Sequence, residues 1–177
     1  FMHAFWGVGQ MSFVKHAIFV DQNPPDLTDH ERISDYILNR IQPKKIMISE
    51  GVIDALDHSS PEALEGGKLG LDCTGEVVEK GEYELISDQK LLSAMQTIDG
   101  DVADLRQYKV ATANPVTVVA VNKKRSVQEF FKDIAGLKKH LKIVCVVDAK
   151  DNNLDSIYML LWRIVNNIDA ARDVIKE

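Results

Sequence analysis

Two aspartates stand directly after apolar, β-rich segments of the chain, Asp21 after residues 15–20 and Asp148 after residues 141–147. If both segments are parallel strands, these carboxylates lie at the sheet edge where open α/β proteins bind ligands. The second carboxylate that Mg²⁺ would need could come from Asp26, Asp29, Asp151 or Asp155. One hypothesis is therefore a free-standing domain that binds Mg²⁺ for phosphotransfer or phosphatase chemistry. An acid in this position is also a common turn former or helix cap, so a purely structural role stays open.

The remaining chemistry-bearing residues form no known catalytic motif. A thiolate pair of Cys73 with His58 is conceivable, but nothing in their spacing requires the two side chains to meet. The five histidines show no metal-ligand spacing, and the P-loop, nucleophile-elbow and zinc patterns are missing. These remaining residues therefore predict no catalytic site.

Composition and charge limit the partners of the protein. The chain has 177 residues, 45% hydrophobic and 27% charged, as is typical of a folded globular domain. Its net charge of -6 repels phosphate backbones and anionic lipid, which argues against nucleic acid and membrane surfaces. The longest apolar runs, such as residues 143–147, are far shorter than the ~20 residues of a membrane helix. The two cysteines form no C-x-x-C motif and fit a reducing compartment, so we expect a soluble, cytoplasmic protein.

The elements that must position these residues begin with a strand, a helix and a second strand. Residues 15–21 predict a strand, the capping box Thr28–Glu31 predicts a helix start, and residues 46–48 predict the next strand. This order favours a parallel, right-handed crossover. Further strands are predicted at 108–110, 117–121 and 141–147, and further helices after Ser87, after Ser126 and over 157–164. We predict an α/β fold, a mostly parallel sheet with helices on both faces, in a single domain over residues 1–177.

The two ends of the chain resemble each other. Each has an apolar segment before an aspartate, a polar turn, a helix and then an apolar pair, Ile46–Met47 in one and Val174–Ile175 in the other. We hypothesise an internally duplicated strand–helix–strand unit, with residues 174–175 beginning a final strand. The alternative is that any parallel α/β chain offers such pairs. Residues 51–75 are rich in glycine and serine, and predict a long ordered loop.

The most specific motifs lie in that glycine-rich stretch. Residues 53–61 read I-D-A-L-D-H-S-S-P, and residues 66–75 read G-G-K-L-G-L-D-C-T-G. In this order and separation they resemble the I-D-x-L-D-x-x-S-P and G-x-K-x-G-L-D-x-T segments of the C-terminal domain of the UbiD-like decarboxylases, the 3-polyprenyl-4-hydroxybenzoate carboxy-lyase family. The N-I-D-A-A-R-D segment at residues 167–173 resembles that family's D-P-A-R-D turn.

The resemblance implies non-oxidative decarboxylation of an aromatic or α,β-unsaturated acid by a prenylated-FMN-dependent carboxy-lyase, in menaquinone or ubiquinone biosynthesis. It implies that the flavin, its divalent metal and K⁺ are held by preceding domains of a longer polypeptide, and that the C-terminal domain supplies pocket wall and homo-oligomer contacts. The chain is thus expected to contain no catalytic residue, to bind no cofactor and to be inactive alone. The first residue is Phe1 rather than Met, which we interpret as the start of a piece of a longer member. Residues 76–140 are left as an unmatched insertion.

The resemblance places the substrate-pocket wall at four residues by approximate motif position. These residues are Phe13, Asp54, Leu56 and His58. Apolar walls hold a substrate ring against the cofactor and exclude water, while the cofactor supplies the electron-sink chemistry. Plain structural roles are the alternative, with Phe13 and Leu56 packing in the core and Asp54 forming a turn.

Overall fold

The computed structural model describes residues 1–176, which divide into two compact units. The first unit comprises Phe1–Val78 with the chain from Trp162 onward, and the second comprises Glu79–Leu161. The strands are β1 (His16–Phe19), β2 (Ile46–Val52), β3 (Glu65–Asp72), β4 (Val102–Tyr108), β5 (Val116–Val121) and β6 (Ile143–Asp148). The helices are α1 (Met2–Trp6), α2 (His30–Leu38), α3 (Asp88–Ile98), α4 (Val127–Asp133), α5 (Ile157–Asn167) and α6 (Ala170–Asp173), with short 3₁₀ helices at Gly9–Phe13, Pro43–Lys45 and Ile134–His140.

The α/β class is confirmed, and the two sheets are mixed rather than uniformly parallel. The first sheet has the order β1-β3-β2, with β1 parallel and β2 antiparallel to β3. The second has the order β4-β5-β6, with β4 antiparallel and β6 parallel to β5. The single domain over residues 1–177 with an unmatched insertion at 76–140 is still a prediction. The structure divides the chain after Val78 and after Leu161.

The predicted crossover between β1 and β2 is wrong. Strand β3 lies between them, pairing Ile18 with Leu71 on one side and Ile46 with Leu71 on the other. It occupies residues 65–72, within the stretch 51–75 that its glycines led us to predict as a loop. Those glycines serve a strand because other parts of the chain approach its backbone closely.

The hypothesis of an internal duplication is also wrong. At the first end, the helix α2 is followed by a strand of the same sheet as β1. At the second end, α5 is followed by the four-residue helix α6, and residues 174–176 form no strand. The two ends therefore share an order of apolar and polar residues without sharing a topology.

The helix starts follow local hydrogen-bond competition. Ser87 caps α3 by accepting from the Lys90 N–H, and α4 begins directly after Ser126, as predicted. The cap of α2 is Asp29 rather than the predicted Thr28. Both the N–H and the hydroxyl of Thr28 donate to Asp26 Oδ1, at 2.8 Å each, so Thr28 is already engaged in an Asx turn.

The second unit is organised around a continuous apolar strand. In β5 every residue from Thr117 to Val121 is buried, as expected of a strand covered on both faces. On one face its valines join a core formed with the helices α3 and α4, whose buried members are Leu91, Met95, Val102, Leu105, Val119, Val121, Phe130 and Ile134. Over residues 1–176, no helix is both long enough and apolar enough to cross a membrane.

Replacing Leu91, which is fully buried in α3, should loosen this core. We expect Leu91→Ala to lower the free energy of opening by about 2–5 kcal/mol, because the lost methyl groups leave a cavity. Hydrogen exchange of the β5 amides measures this opening. Leu85→Ala in the same unit is the matched control, since Leu85 is 53% exposed, and an equal loss in both variants would contradict the assignment of this core.

Candidate functional site

Asp169 is only 3% exposed, and its carboxylate joins three segments of the first unit. Its Oδ2 accepts the Gly67 N–H of β3 at 2.9 Å and the hydroxyl of Ser60, from the loop after β2. Its Oδ1 caps α6 by accepting the Ala171 and Arg172 N–H groups at 3.0 and 3.2 Å. Burial tends to raise the pKa of Asp169, but these hydrogen bonds to the ionised form outweigh it and lower that pKa.

The glycine at position 67 is required by this junction. A Cβ atom there would lie 2.6 Å from the Ala170 nitrogen and 2.5 Å from Asp169 Oδ1. Both distances are far inside van der Waals contact, and the Ala170 nitrogen belongs to backbone that cannot rotate away. The second glycine of the G-G-K motif therefore allows α6 to lie directly against β3.

A second junction, centred on Lys15, holds the loop of residues 53–64 between β2 and β3. The Lys15 ammonium lies 2.8 Å from Asp57 Oδ2 and donates to the Ile168 carbonyl at 2.9 Å and to the Ser59 hydroxyl. Asp57 Oδ1 in turn accepts the Ser59 N–H and hydroxyl at 2.8 and 2.7 Å. The Lys15 and Asp57 side chains are only 10% and 14% exposed, so this ion pair is screened much less than a surface pair.

The ionisation of Asp57 depends on this junction. Burial acts to raise its pKa, but the hydrogen bonds from Lys15 and Ser59 outweigh burial and lower the pKa to about 2. Arg172 adds a further anchor, because its Nη1 donates to the Ser59 carbonyl at 3.0 Å. The loop is thus fastened at Asp57, Ser59 and Ser60.

Three of the four predicted pocket residues lie on this fastened loop. Leu56 is 81% exposed, Asp54 and His58 are exposed, and Asp54 Oδ1 accepts the Leu56 N–H at 2.8 Å. The alternative of core packing is therefore wrong for Leu56. Phe13 lies on a different segment, as the last residue of the 3₁₀ helix before β1, and is 41% exposed.

Asp21 and Asp148, the candidates for a metal site, lie in different units. Asp21 accepts the Tyr36 hydroxyl at 2.6 Å and the Gly75 N–H at 3.0 Å, and these bonds lower its pKa. Asp148 is the exposed last residue of β6. Across residues 1–176, no three His, Cys, Asp or Glu side chains are grouped to hold a metal ion.

The sulfur chemistry considered for Cys73 is not supported by its surroundings. Cys73 is fully buried, and burial raises the pKa of its thiol to about 11. Since the thiolate is the reactive form, burial disfavours reaction of this thiol near neutral pH.

The anchoring residues Lys15, Lys68, Asp169 and Arg172 were not singled out by sequence reasoning. Lys68, Asp169 and Arg172 lie within the quoted motifs, but their roles depend on contacts between segments far apart in sequence. Lys68 in β3 is 3% exposed and donates to the Ser12 and Val14 carbonyls at 2.6 and 3.2 Å. Burial lowers the pKa of this ammonium group.

Comparison with known proteins relates these motifs to one family. The model of the 3-octaprenyl-4-hydroxybenzoate carboxy-lyase C-terminal domain matches residues 1–73 and 83–176. Uncharacterized proteins of Helicobacter pylori strains 26695 and J99 are each 50% identical over 176 residues, which is 98% of this chain and 28% of theirs. The UbiD-class enzyme HmfF from Pelotomaculum thermopropionicum, solved in complex with FMN, is 30% identical over 43% of this chain and 17% of its own, with a TM-score of 0.33. The chain thus spans 28% of the length of these curated relatives.

We expect Gly67→Ala to destabilise the first unit by roughly 3 kcal/mol, because the new methyl group must displace α6. Both tryptophans, Trp6 and Trp162, lie in this unit, so denaturant unfolding followed by their fluorescence measures the loss. Gly100→Ala is the control, since nothing lies within 4 Å of the Cβ atom that it would add. Equal stabilities of the two variants would contradict the close approach of α6 to β3.

Asp57 should make the first unit acid-sensitive. The pKa of Asp57 is about 2 in the folded protein and about 3.9 in an unfolded chain. The ionised carboxylate therefore stabilises the fold in full at pH values above about 3.9, and this stabilisation is lost as the pH falls towards 2. We expect Asp57→Asn to lower the free energy of unfolding by roughly 1.5–3 kcal/mol at pH 7. The free energy of unfolding of this variant should also change less with pH between about pH 4 and 2. Denaturation at a series of pH values tests this. Asp54→Asn on the same loop is the control, and an unflattened profile in Asp57→Asn would refute the assignment.

Proposed function

The chain belongs to the 3-octaprenyl-4-hydroxybenzoate carboxy-lyase C-terminal domain family, and on this premise we propose that it is one domain of a larger decarboxylase. The reaction is the non-oxidative loss of CO₂ from an aromatic or α,β-unsaturated acid. The observation that carries this proposal is the family match over residues 1–73 and 83–176. We assign the enzyme to the cytoplasm and to quinone biosynthesis of the menaquinone or ubiquinone type.

We assign the cofactors to preceding domains of the same polypeptide. Prenylated FMN, when bound, supplies the electron sink for decarboxylation. The divalent metal and K⁺ that accompany it are assigned to the same domains. This assignment is supported by the absence, among the described residues 1–176, of three His, Cys, Asp or Glu side chains grouped to hold a metal ion.

The role of this chain's own residues is to complete the substrate pocket. We propose that Leu56, Phe13, Asp54 and His58 face the bound acid. Leu56 supports this role because it is 81% exposed while the loop that carries it is held by the contacts of Asp57 with Lys15 and of Ser60 with Asp169. A large apolar side chain held in a fixed position in water suits a surface that another surface covers. Such a wall excludes water from the reacting carboxylate and orients the ring.

The helix α5 supports a second role, contact between copies of the protein. In the part of α5 that belongs to the first unit, Trp162 and Val165 are 53% and 47% exposed. Their spacing of three residues places them on one face of the helix. An exposed apolar stripe of this kind is typical of an interaction surface, and we assign it to homo-oligomer contacts.

Truncating Leu56 tests the pocket-wall role in the full-length protein loaded with prenylated FMN. We expect Leu56→Ala to lower kcat/KM roughly tenfold for release of CO₂ from 4-hydroxybenzoate or cinnamate, since apolar contact with the ring is lost. Leu27→Ala is the matched control, because Leu27 is 64% exposed on another loop of the same unit. Equal kinetics of the two variants would contradict the pocket-wall role.

The isolated chain provides a separate test of the proposal that the cofactor lies elsewhere. We expect it to bind no prenylated FMN in a fluorescence titration and to release no CO₂ from either acid. Activity should appear only when the preceding domains are present. Tight flavin binding by the isolated chain would overturn the assignment of the cofactor to those domains.

A further inference from the structure

Lys68 occupies an unusual position for a lysine of a β-strand. The residue is 3% exposed, and its ammonium group donates to the Ser12 carbonyl at 2.6 Å and to the Val14 carbonyl at 3.2 Å. These two carbonyls belong to the residues on either side of Phe13. The single ammonium group therefore restrains the backbone before and after that phenylalanine.

The surrounding residues fix the course of the Lys68 side chain. In β2, Gly51 has no side chain, and a Cβ there would lie 3.1 Å from Lys68 Cε, so the glycine leaves space for the lysine stem. The Trp6 indole N–H donates to the same Val14 carbonyl at 2.8 Å, and Trp6 is 9% exposed. The segment that carries Phe13 is thus held by two donors, Lys68 of β3 and Trp6 of α1.

Burying an ammonium group costs free energy, which a merely space-filling residue at this position would avoid. The ammonium offers several donors, one of them to the Ser12 carbonyl at the end of a 3₁₀ helix and one to the Val14 carbonyl that Trp6 also reaches. Charge-assisted bonds of this kind are stronger than neutral ones. The restraint reduces the number of positions open to the Phe13 ring, which is 41% exposed. Fixing a wall residue in advance lowers the entropy lost when a ligand binds.

We propose that Lys68 is a positioning residue that acts on substrate binding through Phe13. This inference rests on the proposed function, in which Phe13 forms part of the pocket wall. Lys68 acts on the backbone of residues 12–14 and takes no part in proton transfer. Because a fixed wall contributes equally to binding of the ground state and the transition state, its loss should appear in KM rather than in kcat.

The positioning part is tested by hydrogen exchange in the full-length protein without substrate. Lys68→Met keeps the length of the stem and removes all donors. We expect exchange of the Met11 and Val14 amides, which bond within the 3₁₀ segment, to accelerate roughly tenfold. Lys45→Met is the matched control, since Lys45 lies next to β2 and donates to the Thr74 carbonyl at 2.7 Å, away from Phe13. Equal exchange at these amides in both variants would overturn the positioning role.

The kinetic part is tested with the same protein loaded with prenylated FMN and with cinnamate as substrate. Lys68→Met should raise KM roughly tenfold while kcat changes less than about twofold. In a Phe13→Ala background the same lysine substitution should have no further effect, because the residue it positions is gone. Additive effects of the two substitutions would overturn the coupling. An unchanged KM in Phe13→Ala alone would refute the pocket-wall role of Phe13. This failure can be told apart from a failure of the positioning role, because the hydrogen-exchange measurement uses no substrate.

Discussion

The buried carboxylate of Asp169 is the constraint on which the rest of the first unit depends. Desolvating a carboxylate costs several kcal/mol, and only a full set of donors makes that cost acceptable. The donors come from β3, from the loop after β2 and from the first turn of α6, which places them in one location. Gly67 has to be a glycine because any side chain would occupy the space that α6 fills. Three parts of the chain that are distant in sequence are thus held by one ion.

From this junction the other polar contacts extend towards the surface. The pair of Lys15 and Asp57 fixes the middle of the loop that carries Leu56, and Lys68 fixes the segment that carries Phe13. The ionisable groups at these two junctions therefore hold the backbone of the two segments. What they present to the outside are apolar side chains in defined positions. This division suits a domain that shapes a pocket while the reacting groups lie in another part of a longer polypeptide.

Local signals in the sequence predicted much of this organisation, and contacts distant in sequence limited the rest. The α/β class, the strand at Val116–Val121 and the helices after Ser87 and Ser126 follow from hydrophobic periodicity and helix caps, which depend on neighbouring residues alone. The strand Glu65–Asp72 could not be predicted, because its glycines are explained by the approach of residues distant in sequence, 169–171 at Gly67 and Met2 with Trp6 at Gly70. The same holds for the site: the motif residues were recognisable, but the roles of Lys15 and Lys68 depend on carbonyl groups contributed by other segments.

The central claim, that the fastened loop presents Leu56 to a bound acid, is tested most directly by photo-cross-linking in the full-length protein with prenylated FMN. A benzoylphenylalanine at position 56 is expected to cross-link to the flavin-binding part of the polypeptide, and saturating amounts of an unreactive aromatic acid should suppress the product. The same group at position 27 should give no product sensitive to the acid. If cross-linking from position 56 were unaffected by the acid, or occurred only between separate copies of the protein, the loop would not line the substrate pocket.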